Sequence, residues 1–251
     1  LSPELWIGRA PVSNSAEATN FVNKVITCEQ SQDNYIYNEL LIGYVLYNKP
    51  PYFCDGKEIM EDIANNTPAT YTIYKEYETE GGVDNDRIIN DITSGVGIIA
   101  HANHANWNMA PPFNIGYPID VRTLNNGSKT FIFNTIGCIA GDFSKTDCIG
   151  EEMLLNQNGG ALAFIGNSRY GWFDETNVKL YSGEYQIEFF KKFFKEGYTN
   201  IGETLGRSKM EFIPWCGTHT PYRWIMFCLN LLGDPENEFN PPELGIDIIL
   251  N

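Results

Sequence analysis

Two short apolar runs, about thirty residues apart, constrain this chain more than anything else in it. The first is Gly97-Ile98-Ile99-Ala100-His101-Ala102-Asn103-His104-Ala105-Asn106-Trp107. The second is Phe131-Ile132-Phe133-Asn134-Thr135-Ile136-Gly137-Cys138-Ile139-Ala140-Gly141-Asp142-Phe143. Each starts like a buried strand and ends on small residues carrying one reactive side chain, His104 or Cys138. The connection between them is long, as parallel strands require. Two such strands side by side would deliver an imidazole and a thiol to one edge of a sheet, where open α/β sheets keep their functional crevices.

The rest of the chain alternates in the same way between helix-like and strand-like segments, which predicts an α/β fold with a mostly parallel sheet. Ala16, Ala18, Phe21, Val22, Val25 and Ile26 recur at helical spacing, so Ser15 to Glu29 is expected to be a helix capped by Asn14 or Ser15. Leu40 to Tyr47 reads as one buried strand, broken by Lys49-Pro50-Pro51. Helices are expected over Glu58 to Asn65 and Asp84 to Thr93, with strands over Tyr71 to Tyr77 and Gly95 to Ala102. The second half predicts strands over Thr130 to Ile136 and Ala161 to Gly166, and helices over Gly150 to Asn156, Glu184 to Glu196, Ile201 to Met210 and Pro221 to Leu232. A polar tail follows. No repeat, heptad or internal linker interrupts the pattern, so residues 1–251 are expected to form one domain.

Charge and cysteine usage narrow the function. The net charge of −15 opposes nucleic-acid binding, which needs clustered Lys and Arg. It suits basic substrates, a secreted or cell-surface protein, or calcium as a structural ion, with Asp84-Asn85-Asp86 and Asp174-Glu175 as acidic loops outside any EF-hand spacing. No apolar run is long enough to span a membrane. The sequence begins at Leu1 without a signal-peptide pattern, so a trimmed or truncated longer precursor is expected. Six cysteines, none in a Cys-x-x-Cys pair, read as buried free thiols more readily than as zinc ligands or a disulfide framework.

The chemistry rests on Cys138 and His104. A thiolate beside an imidazolium has a lowered pKa and is a competent nucleophile. Gly137 and Gly141 bracket the cysteine and allow close backbone approach. His104 falls in the loop after its strand and is the expected base. His101, still inside the strand, is expected in the core or behind the site. His219, in the Cys216-Gly217-Thr218-His219-Thr220 loop, is the alternative base. No third ligand at metal spacing accompanies the histidines, so no metal or other cofactor is expected to be required.

Taken in order, these motifs resemble the gingipain family of cysteine peptidases, which has a caspase-like fold. The family carries a Gly-His-Gly turn with an aromatic soon after. Here the corresponding residues are Asn103-His104-Ala105 and Trp107. Its Ala-Cys-x-x-Gly-Asp-Phe turn is matched by Gly137-Cys138-Ile139-Ala140-Gly141-Asp142-Phe143. Trp6-Ile7-Gly8-Arg9-Ala10-Pro11 resembles its Gly-Arg-x-Pro opening, Phe164-Ile165-Gly166 leading to Trp172 its pocket-wall strand and loop, and Leu232-Gly233-Asp234-Pro235 its closing Gly-Asp-Pro.

The resemblance implies a three-layer α/β/α sandwich and a cysteine endopeptidase acting on peptides or proteins, with cleavage after basic residues. It makes Cys138 the nucleophile, His104 the base, and the backbone amides of Ala105 and Cys138 the oxyanion hole. Trp172 becomes a wall of the substrate pocket. Asp55 is the expected acid that orients the histidine, and Glu58 the expected acid of the specificity pocket, although either could take the other's role. Asp142 is expected to be structural. The family usually carries a further subdomain ahead of the Gly-Arg-x-Pro segment, so a preceding subdomain or propeptide is an expected partner. Asn103 and Ala105 replace two glycines around the histidine. That motivates a non-catalytic binding module as an alternative, and a transpeptidase using the same residues is another.

Overall fold

The computed structural model describes residues 3–31, 33–144 and 147–239. Helix α1, Ser15–Gln30, begins at Asn14, whose side chain accepts the amides of Ala16 and Glu17. Strand β1, Asn38–Gly43, is buried along nearly its whole length, as a central parallel strand must be. A hairpin follows, β2 (Val45–Lys49) pairing antiparallel with β3 (Tyr52–Asp55). Helix α2, Lys57–Asn66, turns Ile59, Met60 and Ile63 inward and leads to β4, Thr72–Tyr77. Asp84 caps helix α3, Asn85–Ser94, ahead of β5, Ile98–Ala102.

Three two-residue strands form a small separate sheet: β6 (Met109–Ala110), β7 (Phe113–Asn114) and β8 (Ile119–Asp120). Strand β9, Phe131–Thr135, then returns to the main sheet. It is followed by α4 (Ile149–Leu155), β10 (Ala161–Asn167), α5 (Ser182–Phe194), α6 (Ile201–Met210), α7 (Thr220–Cys228) and β11 (Leu229–Leu232).

The main sheet runs β11-β10-β9-β5-β1-β4, parallel throughout except for the antiparallel β11 edge. The α/β expectation holds, with helices on both faces. Leu41, Ala100 and Ile132 pack with Ile59, Ile63, Phe189, Phe190 and Phe193 of α2 and α5. Their sequence neighbours Leu40, Ile99 and Phe133 point the other way, onto Ile88 and Ile92 of α3 and Met153 of α4. Phe133 stacks on Phe164 at 5.4 Å and meets the edge of Phe113 at 5.3 Å. Truncating so tightly enclosed a ring to alanine costs about 3–5 kcal/mol. At the sheet edge, Arg9 exchanges backbone hydrogen bonds with Leu231 and Gly233, so the N-terminal segment runs beside β11.

Two expected elements are divided. The run from Leu40 to Tyr47 is two strands, because the chain leaves the sheet at Tyr44. The amide of Tyr44 donates to the Ala102 carbonyl at 3.0 Å, and its carbonyl accepts from Gly56 at 2.8 Å. Lys49-Pro50-Pro51 is the hairpin turn that follows. The expected helix from Pro221 to Leu232 stops at Cys228, and Leu229–Leu232 fills the free edge of β10. A short apolar run has no polar face to set its period, so a buried edge strand and a last helical turn look alike in sequence. Residues 240–251 of the expected polar tail lie outside the described residues.

Candidate active site

The register of the parallel pair sets the site. His101 on β5 lies opposite Thr135 on β9, so the turns that follow leave the sheet side by side at its carboxyl edge. They touch at Gly137 and Ala105. A Cβ at Gly137 would lie 2.4 Å from the Cβ of Ala105, closer than any real contact, so glycine is required while alanine stands opposite. Among the described residues, the amides of Ala105 and Cys138 have no acceptor. These are the amides expected to face an oxyanion.

His104 is exposed, and its ring is held from one side. Nε2 lies 2.7 Å from the carbonyl oxygen of Leu46, at the start of the β2–β3 hairpin. A carbonyl can only accept, so Nε2 carries the hydrogen and Nδ1 of the neutral ring keeps its lone pair. Phe173 packs edge-on against the ring at a centroid distance of 6.2 Å. The turn itself is fixed by Asn103, whose side-chain oxygen accepts the His104 amide at 2.7 Å.

Cys138 is partly exposed, and its thiol donates to the Gly171 carbonyl at 3.8 Å. Gly171 and Phe173 belong to one loop after β10, so that loop contacts both reactive side chains. Burial pushes the Cys138 thiol above its ordinary value, against a smaller lowering contribution from the backbone of Gly171. Burial here works against the lowering that an imidazolium would bring, because a desolvated site disfavours the thiolate. The next residue, Ile139, has φ 47°, a left-handed conformation rarely taken by a β-branched side chain. The amide of Ile139 donates to Arg169 at 2.8 Å, and its carbonyl accepts from Asp142 at 3.1 Å. Strain of this kind persists only where surroundings over-determine the backbone.

Behind the turn lies a closed polar network. His101, fully buried, has Nε2 2.7 Å from the Pro111 carbonyl and Nδ1 2.8 Å from the Thr135 hydroxyl. The carbonyl again assigns the hydrogen to Nε2, so the Thr135 hydroxyl donates to Nδ1 and accepts the Gly137 amide at 3.0 Å. Burial lowers the His101 pKa to about 4, which keeps the ring neutral. From the other side, the Asn167 amide group donates to the carbonyls of Ile136 at 3.0 Å and Gly137 at 3.2 Å.

The remaining expected residues fall around this centre. Trp172 is 46% exposed on the loop after Gly171, and its backbone is tied to Ser182 at the start of α5. Glu58 is exposed on the first turn of α2, near the Cys54 thiol, which donates to the Glu175 carbonyl at 3.3 Å. Asp55 does not hold the histidine. Its two oxygens accept the Lys57 amide at 2.9 Å and the Thr79 hydroxyl at 2.6 Å, which fixes the start of α2, while Leu46 supplies the partner of His104. Asp142 accepts from Ser144 and pairs with Arg169 at 3.1 Å. His219 packs against Trp215 and Tyr222, with Nδ1 2.9 Å from the Thr218 hydroxyl.

No three His, Cys, Asp or Glu side chains converge as metal ligands among the described residues. In the acidic loops, Asp84 caps α3 and Asp174 accepts from Thr176. All six cysteines are free thiols.

A mostly parallel six-stranded sheet with helices on both faces is the caspase-like fold. Residues 1–239 match the model of peptidase family C25, and the chain belongs to that family. It is similar in structure to the Arg-specific cysteine proteinase gingipain R (RgpB), with a TM-score of 0.78 and 19% identity over 94% of this chain and 55% of that one. The complex of Porphyromonas gingivalis RgpB pro- and mature domains matches with a TM-score of 0.77 and 18% identity over 94% of this chain and 56% of that one. A further protease structure matches with a TM-score of 0.67 and 17% identity over 90% of this chain and 54% of that one. The chain thus spans a little over half the length of these structures. None of the curated proteins matches it by sequence.

Proposed function

We propose that this chain hydrolyses peptide bonds with Cys138 as nucleophile and His104 as base. The observation that carries the reading is the Gly137–Ala105 contact, which juxtaposes the two turns beside two unoccupied amides. His104 Nδ1 takes the thiol proton as the Cys138 sulfur adds to the scissile carbonyl carbon. The amides of Ala105 and Cys138 hold the resulting oxyanion. The tetrahedral adduct collapses, the imidazolium gives its proton to the leaving amine, and a thioester remains. Water, deprotonated by His104, then releases the acid and restores the thiol.

A basic residue before the scissile bond is the proposed preference. Glu58 stands on the first turn of α2, and the Asp174-Glu175 segment follows Trp172 and Phe173, near the same Cys54 thiol. This acidity in a chain of net charge −15 favours a cationic side chain. Following the RgpB complex of pro- and mature domains, a propeptide is the proposed protein partner. Cys138→Ala should abolish cleavage of a positional peptide library and labelling by thiol-reactive peptidyl inhibitors. Retained cleavage in that variant would overturn the assignment. Product analysis with added amine nucleophiles separates hydrolysis from transpeptidation, which would use the same residues.

A further inference from the structure

Beyond the Cys138 site, the loop that carries Trp172 ends in an aromatic pocket with a carboxylate in its wall. Tyr181, Phe212, Trp215, His219, Tyr222 and Glu184 line a cavity of about 250 Å³. The rings stand at angles to one another: Tyr181 meets Tyr222 at 5.1 Å and 72°, Trp215 meets His219 at 5.9 Å and 71°, and His219 meets Tyr222 at 6.0 Å and 81°. Phe212 stacks on Tyr222 at 5.5 Å. Trp215 is 51% exposed, so the pocket opens to solvent.

Glu184 has an uneven set of partners. Its Oε2 accepts both the Tyr181 amide and the Tyr222 hydroxyl, while Oε1 accepts from no described residue. No Lys or Arg pairs with it among the described residues. The backbone of Tyr181 is also held in a left-handed conformation, φ 66°, which costs energy for a non-glycine residue. Next to it, Ser182 exchanges hydrogen bonds with the backbone of Trp172 at 3.0 Å, so the cage and the proposed substrate wall share one support.

Aromatic faces attract cations, and a carboxylate oxygen with a free lone pair favours a cation that carries N–H. We propose that this cage is a second recognition site, which binds a lysine or arginine side chain of a polypeptide substrate away from the scissile bond. The occupant rests on the peptidase reading, because a substrate chain passing Trp172 is what would bring a second cationic residue here. A quaternary ammonium such as choline would satisfy the rings but leave Glu184 Oε1 without a donor.

The test uses the Cys138→Ala protein, in which binding is measured without turnover. Peptides share one basic residue at the cleaved position and carry a second lysine, or norleucine in its place, at successive distances from it. Affinity is read by calorimetry and Trp fluorescence, with choline chloride as the comparator. At one spacing the lysine peptide should bind about three- to tenfold more tightly than its norleucine twin. Glu184→Gln and, independently, the exposed Trp215→Ala should each remove that advantage while leaving affinity for the norleucine peptide unchanged. Equal affinities at every spacing, an advantage that survives both variants, or competition by choline equal to that by a lysine peptide would overturn the proposal. Failure of the peptidase reading is distinguishable: the lysine advantage would persist in binding while the unsubstituted protein cleaves none of the peptides.

Discussion

The Nε2 nitrogen of His104 lies 2.7 Å from the main-chain carbonyl of Leu46, and among the described residues no carboxylate bonds to the ring. The hairpin thus sets both the tautomer and the orientation of the proposed base. Leu46 follows β1 and His104 follows β5, two adjacent strands at which the sheet order reverses direction. Crevices of open α/β sheets lie at such points. His104→Ala should lower kcat/KM by about 10²–10⁴, the usual worth of a positioned general base. Its Tm should stay close to that of the parent, since the ring is exposed and its loss leaves no cavity. Full activity with a folded variant would remove His104 from the mechanism.

Asp55 should behave differently. Its carboxylate serves the Lys57 amide and the Thr79 hydroxyl. Asp55→Asn keeps one acceptor and loses charge, so it should cost about 1 kcal/mol in urea unfolding. The pH dependence of kcat should keep its shape. A displaced limb in that profile would return Asp55 to the role of orienting acid.

Gly137 and Ala105 should be coupled. A methyl on Gly137 would sit 2.4 Å from the Ala105 Cβ, so Gly137→Ala alone should be destabilising by about 1–3 kcal/mol and should displace the turn that carries Cys138. Ala105→Gly alone should be mild. Combined, the two substitutions place the methyl on the opposite turn, giving the His-Gly and Ala-Cys arrangement of the gingipain motif. A double-mutant cycle in stability and kcat/KM should therefore show recovery. Additive losses would mean the two turns do not meet in solution.

Two buried groups should give opposing pH dependences. Burial holds His101 down to about 4, while the unfolded chain takes up the proton nearer 6.5. Its contribution is present above the unfolded value and is lost as pH falls from about 6.5 to 4. Glu39 is the reverse: burial raises it to about 7, against an ordinary 4.5, so its contribution is present at low pH and is lost as pH rises through that range. Each shift corresponds to about 3 kcal/mol at most. The two slopes offset each other between about pH 4.5 and 6.5. Glu39→Gln should remove one of them, so the stability of the parent relative to the variant should fall steadily with rising pH. Urea unfolding of both proteins across that range is the measurement, and a constant difference would overturn the account.

Much of this arrangement was legible in the sequence, for identifiable reasons. Long amphipathic runs gave helices within a residue or two, as at Ile201–Met210, and the apolar runs of β5 and β9 could only be buried strands. The order of the motifs led to Cys138 and His104. The supports were not legible. Leu46 acts through its backbone carbonyl, which leaves no trace in residue type. Thr135 and Asn167 matter because parallel pairing brings them to the Cys138 turn from two strands, and sequence gives no register. The left-handed residue of the turn is Ile139, although glycines stand on both sides. The Asp55 expectation failed because an acid two residues ahead of a helix interior satisfies local amides before it reaches a distant ring. In the sequence Glu184 is only the start of an expected helix, and folding alone brings Tyr222 and Trp215 to it.

The resting state of Cys138 gives the last prediction. Its thiol is pushed up by burial and donates to the Gly171 carbonyl, so the proton is still on sulfur before substrate arrives. A preformed thiolate–imidazolium pair would instead hold the thiol well below its usual range. Iodoacetamide reacts only with the thiolate, so its rate against pH reads the ionisation directly. The Cys138-dependent rate, defined by subtraction of the Cys138→Ala protein, should be slow at neutral pH. It should rise with a midpoint above that of a free thiol, and His104→Ala should leave that midpoint where it is. Any acceleration by substrate-like peptidyl inhibitors would then come from binding, which excludes water and places the carbonyl between the two turns. A midpoint below neutrality that vanishes in His104→Ala would show the pair to be ionised at rest.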